Sequence, residues 1–175
     1  MSSSSDAYRA AVPEHLDGWD LIDPARLLHD LAAATPLLAG RSLLCQVARP
    51  AIEQTLIAHT DVWPTGQPAD EMEARDEVED AMRRIGHREF DWDDDVRLTS
   101  VVVPVVIRTG RAVTRADDYA VTSVLRYANN PFQALRGELI VVTPHGWITS
   151  PDQLAGRDPV AVTPEPASGL RLVRD

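Results

Sequence analysis

The carboxylates between positions 91 and 95 are the part of this sequence that comes closest to a metal-binding motif. Asp91, Asp93 and Asp95 alternate within five residues. Carboxylate oxygens are the ligands that Mg²⁺ and Ca²⁺ take from proteins. The match to an EF-hand loop is poor, because Val96 and Val102 stand where that loop needs its glycine and its glutamate.

Two interpretations of these carboxylates stay open. In the first, Asp91, Asp93 and Asp95 bind Mg²⁺ or Ca²⁺ in a divalent-metal-dependent hydrolase. Such a site needs further carboxylates, for which Asp117, Asp118 and Glu138 are the candidates. In the second, the aspartates form a solvated acidic loop that precedes a strand.

Residues that other catalytic classes require are missing. All 17 cationic residues are arginine, so Schiff-base chemistry, pyridoxal-phosphate chemistry and a standard P-loop are excluded. Cys45 is the single cysteine, which excludes an intrachain disulfide and a cysteine zinc cluster; it is interpreted as a small buried residue. The sequence contains no His-Glu-x-x-His, Gly-x-Ser-x-Gly or Gly-x-Gly-x-x-Gly motif. We therefore predict no catalytic residue and no cofactor, and we favour a protein that is not an enzyme.

Negative charge is concentrated in one segment. The net charge is −10, and residues 70–95 contain 12 acids against 4 arginines. An acidic chain is repelled by phosphate backbones, so nucleic-acid binding is disfavoured, whereas a basic protein partner would be attracted. The alternative is a solvated surface that aids solubility. The residues predicted to contact a partner are Glu71, Glu73, Glu77, Asp80, Asp93 and Asp94.

These observations favour a non-enzymatic accessory, regulatory or assembly protein that binds another protein. The metal-dependent hydrolase is one alternative. A self-assembling structural subunit of a phage or another assembly is a second, with the strand at 101–107 on the edge of a homo-oligomer.

The sequence contains no membrane-spanning apolar run and does not start as a signal peptide does, so a cytoplasmic location is expected. Its lack of lysine and scarcity of asparagine indicate GC-rich coding, as in a high-GC bacterium or its phages.

The acidic segment requires a helix to display its charges. Residues 69–85 predict that helix, because acids fill its first turn and arginines its last, and Gly86 is placed to end it. Met72, Val78, Ala81, Met82 and Ile85 are predicted to form its buried stripe.

The remaining segments predict an α+β fold. The helical N-terminal half is expected to pack on a small sheet formed mainly by residues 97–113 and 137–149, with a crossover helix at 114–129. Asp23-Pro24 predicts the start of one N-terminal helix, which Pro36 ends or kinks. Residues 42–59 fit either one helix or, as we prefer, a strand followed by a helix from Pro50. Pro104 indicates a bulge, a strand end or an edge. The predicted domain covers 21–158, with a flexible tail at 1–20 and an extended tail at 159–175.

The stretch from Tyr127 to Phe132 also allows two interpretations. Two amides, Asn129 and Asn130, lie between two aromatic side chains. They suit recognition of a ligand or partner. The preferred interpretation is the end of the crossover helix, with Asn129 or Asn130 in the left-handed conformation.

Overall fold

The computed structural model describes residues 4–14, 16–63, 70–89 and 99–162. This part of the chain contains four α-helices and seven strands, which confirms the α+β class. The helices are α1 (Ser4–Ala11), α2 (Pro24–Ala34), α3 (Glu71–Arg84) and α4 (Ala120–Ala128). The strands are β1 (Ser42–Ala48), β2 (Thr55–Asp61), β3 (Ser100–Ile107), β4 (Leu135–Arg136), β5 (Leu139–Thr143), β6 (Gly146–Ser150) and β7 (Ala155–Gly156).

The seven described strands form one mixed sheet. Six of them follow the order β2-β1-β3-β5-β6-β7, and the short β4 pairs with β3. Strand β3 is parallel to β4 and β5, whereas the other neighbouring strands are antiparallel. A 3₁₀ helix (Ala116–Tyr119) and α4 lie in the connection between β3 and β5, so the predicted crossover helix is confirmed.

The core lies on both faces of the sheet. On β3, Val101, Val103 and Val105 join the apolar cluster that contains the leucines of α2, and Val102 joins the cluster that contains the buried residues of α3 and α4. Because β3 pairs with β1 on one side and with β4 and β5 on the other, it lies inside the sheet. The prediction that residues 101–107 form an oligomer edge is therefore wrong.

Pro104 lies within this central strand and not at an edge or strand end. It faces Leu44 across the ladder between β1 and β3. On the other side of β3, pairing with β4 stops at Val102, and pairing with β5 begins at Val105. Pro104 therefore falls in the gap between these two pairings. Proline has no N–H to donate, so at this position it costs no hydrogen bond to β4 or β5.

The N-terminal half is less helical than predicted. Residues 42–48 form the expected strand, but the segment from Pro50 to His59 does not form a helix. It makes a tight turn around Arg49 and then strand β2, which pairs with β1 in a hairpin. The carbonyl of Arg49 accepts hydrogen bonds from the N–H groups of residues 52, 53 and 54, and this closes the turn. The sheet is therefore larger than the one expected from 97–113 and 137–149, and residues 108–113 form a loop.

The helix boundaries follow the capping signals. Asp23 accepts a hydrogen bond from the Arg26 N–H at 3.0 Å, and α2 ends two residues before Pro36.

The segments predicted as tails contain described structure. Tyr8 in α1 is buried, and its hydroxyl donates to the Gly18 carbonyl at 2.6 Å. Residues 163–175 lie outside the described part.

Candidate functional site

Helix α3 is fixed by its inner face, and this orients the acids on its outer face. Its buried residues are Ala74, Val78, Ala81 and Met82, and the last three pack against the sheet and α4. Asp70 caps the helix, because its Oδ1 accepts a hydrogen bond from the Glu73 N–H at 2.9 Å. Gly86 follows the helix with a φ of 97°, which glycine adopts at little cost. The predicted helix and its end are thus confirmed.

The outer face of α3 forms an acidic crevice. This crevice, of about 330 Å³, brings together three of the predicted contact residues, Glu73, Glu77 and Asp80. Sequence reasoning missed Asp76, which lies in the same crevice one helical turn from Glu73 and Asp80. Glu71 lies on the other side of the helix, facing α4. Asp93 and Asp94 lie outside the described residues, as do Asp91 and Asp95.

Arginines on α3 neutralise part of this charge. Arg75 donates to Glu79 at 2.8 Å. Arg83 donates to Asp80 at 2.8 Å, and it also contacts Glu79 and Glu89. Exposed pairs of this kind contribute little to folding stability, but they reduce the local field. Within the described residues, no arginine forms an ion pair with Asp76 or Glu77, so the outer face stays negative.

An apolar groove borders the acidic crevice. It has a volume of about 390 Å³ and lies between α3 and α4, lined by Glu71, Met72, Arg75, Val124 and Tyr127. The prediction that Met72 is a core residue is wrong, because its side chain is 74% exposed. Met72 lies two residues before the buried Ala74, about 200° away around the helix, so the two cannot share a face. Only the packing of α3 on α4 brings Met72 beside Tyr127.

The side-chain amide of Asn129 stabilises the end of α4. Asn129 donates to the Ala134 carbonyl at 2.8 Å and accepts from the Ala134 N–H at 3.0 Å. Phe132 is buried in the core, whereas Tyr127 is 54% exposed. The left-handed residue is Gln133, with a φ of 53°, and not an asparagine. Asn129 therefore shapes the end of α4, and only the tyrosine contributes to the surface groove.

Cys45 is confirmed as a buried residue. The register of β1 and β2 places His59 opposite it, so the fold does bring a histidine near the thiol. Burial, however, raises the pKa of the Cys45 thiol to about 12, and the thiol stays protonated at neutral pH. This pair is therefore a poor nucleophilic dyad.

The three further carboxylates proposed for a hydrolase, which all lie within the described residues, are found at two separate sites. Asp118 is 2% exposed and accepts two hydrogen bonds from Arg108, at 2.6 and 2.9 Å, and a third from the Arg115 N–H at 2.7 Å. Asp117 and Asp118 line one cavity, and Glu138 lines another. Among the described residues, no group of three His, Cys, Asp or Glu side chains is placed to bind a metal ion.

The cavity lined by Glu138 contains a partly buried carboxyl that lies close to other acids. Burial raises the pKa of Glu138; a hydrogen bond with Thr149 opposes this shift, and the nearby carboxylates of Asp152 and Asp20 reinforce it. The Oε2 atom of Glu138 is buried and has no hydrogen-bond partner. The cavity measures about 510 Å³. It therefore offers one carboxyl that holds its proton more tightly than usual, which no sequence pattern indicated.

In the described part of the chain, no helix combines the length and the apolar character that a membrane span requires. Comparisons with protein-family models, with curated proteins and with solved structures found no match.

Proposed function

We propose that this protein is a non-enzymatic accessory, regulatory or assembly protein that binds a basic protein partner through the outer face of α3. The observation that carries the proposal is the acidic crevice of Glu73, Asp76, Glu77 and Asp80 on one exposed helix face. A fixed array of like charges attracts an oppositely charged surface, which speeds and orients association.

The distribution of charge supports a protein partner over a nucleic acid. The chain has a net charge of −10, and residues 70–89 contain eight acids against four arginines. Asp80 is partly neutralised by Arg83, so Asp76 and Glu77 are expected to contribute more to binding than Asp80. Phosphate backbones would be repelled by the same surface.

The metal-dependent hydrolase stays a separate prediction. It depends on Asp91, Asp93 and Asp95, which lie outside the described residues, and the engagement of Asp118 by Arg108 offers it no support. Calorimetric titration with Mg²⁺, Mn²⁺ and Ca²⁺ tests it directly. Binding that disappears when the three aspartates are changed to asparagine would establish a metal site.

The docking proposal can be tested without knowing the partner. Random peptides of about 16 residues, long enough for four helical turns, are selected by mRNA display on the immobilised protein. We expect the selected peptides to be enriched in lysine and arginine. Their affinity should fall as ionic strength rises from about 0.05 to 0.5 M, because salt screens exposed charges.

Two matched variants locate the binding surface. The variant with Glu73→Gln, Asp76→Asn and Glu77→Gln removes three charges from the crevice and should bind the selected peptides at least about tenfold more weakly. The variant with Asp30→Asn, Glu53→Gln and Asp117→Asn removes three exposed charges elsewhere and should bind nearly as the wild type does. Equal loss in both variants, or peptides without a basic bias, would refute the proposal.

A third variant changes the charge in the opposite direction. Arg83→Gln frees Asp80 and Glu89 from their arginine partner, while Arg75 still pairs with Glu79, and it makes the face more negative. We expect it to bind the same peptides more tightly than the wild type at low salt. Weaker binding would mean that Arg83 contacts the partner, and the crevice would then not be the binding surface.

A further inference from the structure

The groove between α3 and α4 exposes apolar surface next to the acidic crevice. Met72 and Tyr127 are large side chains, 74% and 54% exposed, and they line the groove from different helices. Val124 forms part of its wall. Exposed methionine and tyrosine side chains that meet in a concave site are typical of the residues that anchor protein interfaces.

The groove and the crevice are continuous. Met72 borders both, so an apolar contact site and a negative surface share one side chain. Glu71 lies in the groove, and Asp76 and Glu77 lie across Met72 in the crevice. A partner that fills the groove with an apolar side chain would therefore place its neighbouring residues within reach of carboxylates. Basic neighbours would be attracted there and acidic ones repelled, because opposite charges across an interface favour association.

Building on the proposed function, we infer that the partner's docking element is a basic amphipathic helix. A furrow between two packed helices accepts a third helix, whose side chains fit between the ridges of the first two. Apolar residues spaced three and four apart would enter the groove beside Met72 and Tyr127. Lysine or arginine residues on the flank of the helix would face Asp76 and Glu77. A second copy of this chain fits less well, because two acidic α3 faces would repel each other.

The methionines make this inference testable by NMR spectroscopy. The chain has three, of which Met72 lines the groove and Met82 is buried in the core about 15 Å further along the same helix. The protein is labelled with ¹³C at the methionine methyl groups and titrated with a synthetic amphipathic peptide of leucine, lysine and alanine. We expect the Met72 methyl signal to shift and the Met82 signal to stay in place.

A matched peptide and two variants separate groove binding from charge attraction. The matched peptide has the same composition, but its leucines are permuted so that they no longer share a helix face. The variant with Met72→Gln and Tyr127→Gln keeps every charge and should lose about tenfold in affinity for the amphipathic peptide, which corresponds to 1.4 kcal/mol. Its control is Ile57→Gln, which alters an apolar side chain of similar exposure on β2.

The possible results distinguish the two proposals. If both peptides bind equally and Met72→Gln with Tyr127→Gln changes nothing, the groove inference is refuted and the charge-based function stands. If neither peptide binds, and neutralising Glu73, Asp76 and Glu77 has no effect on any basic peptide, both are refuted. If the Met72 signal shifts with protein concentration alone and sedimentation shows a dimer, the occupant is a second copy and the inferred helix is wrong.

Discussion

The two sides of helix α3 differ in what they contribute to the protein. Met82 on the inner side is fully buried among core residues, whereas Met72 on the outer side is 74% exposed. The residue type is the same, and the two positions are ten residues apart on one helix. The difference shows that the position around the helix axis, and not hydrophobicity alone, assigns a side chain to stability or to recognition.

The largest effect is expected from truncating the inner methionine. Met82→Ala removes a fully buried side chain and leaves a cavity against the sheet, so the free energy of unfolding should fall by about 2–5 kcal/mol. Met72→Ala, the matched control, should change it by less than about 0.5 kcal/mol, because an exposed side chain loses little on truncation. Urea unfolding followed by circular dichroism measures both. Equal losses would show that the two sides of α3 do not differ in this way.

A smaller effect is expected at the start of the helix. Asp70→Ala removes the side chain that accepts a hydrogen bond from the Glu73 N–H, so the free energy of unfolding should fall by about 1 kcal/mol. Asp76→Ala removes the same charge from the middle of the outer face and should leave stability unchanged or slightly higher, since alanine favours helix. Denaturant midpoints of the two variants provide the measurement. A larger loss for Asp76→Ala would mean that the outer face contributes to folding.

The smallest effect on stability is expected at Asp61, an acid outside α3 that forms an ion pair with Arg41. Arg41 donates to both oxygens of Asp61 at 2.8 Å. The pKa of Asp61 is lower than its ordinary value, and the largest cause is this hydrogen bonding with Arg41. A lowered folded-state pKa adds stability that is complete above the unfolded value of about 4 and is lost as pH falls through the folded value.

Asp61→Asn removes this pH-dependent contribution. The wild type should therefore lose stability more steeply than the variant as pH falls below about 4. Solvent screening at a side chain that is 34% exposed keeps the difference within about 1 kcal/mol. Thermal unfolding at several pH values between neutral and acidic measures it. Parallel pH profiles for the two proteins would contradict the prediction.

Local signals made much of the fold predictable. The run of valines in β3 indicates a strand that is buried on both faces. Helices α2 and α3 each begin after an aspartate whose side chain caps the helix. Strand β2 was missed, because the apolar residues from Ala51 to Leu56 suit a helix as well as a strand. Pairing with β1 decides between the two, and that pairing depends on the turn that Arg49 closes.

The candidate site was predictable only in part. Acidic residues at helical spacing indicated an exposed negative face, and Glu73, Glu77 and Asp80 do lie together in one crevice. Met72 was assigned to the core from its hydrophobicity alone. Its position around the helix axis, about 200° from the buried Ala74, was not considered. The raised pKa of Glu138 could not be predicted, since it arises from burial and from Asp152 and Asp20, which other segments bring close.

By itself, the amino-acid sequence determined the α+β class, the extent of α3, the burial of Cys45 and the concentration of acids on α3. These properties depend on periodicity, capping and composition, which act between residues close in the chain. Tertiary structure alone decided that β3 lies inside the sheet and that Met72 meets Tyr127 in a groove. Each of these two arrangements requires segments that are far apart in the sequence to pack together. The free energy that stabilises such packing comes from the whole core and not from neighbouring residues.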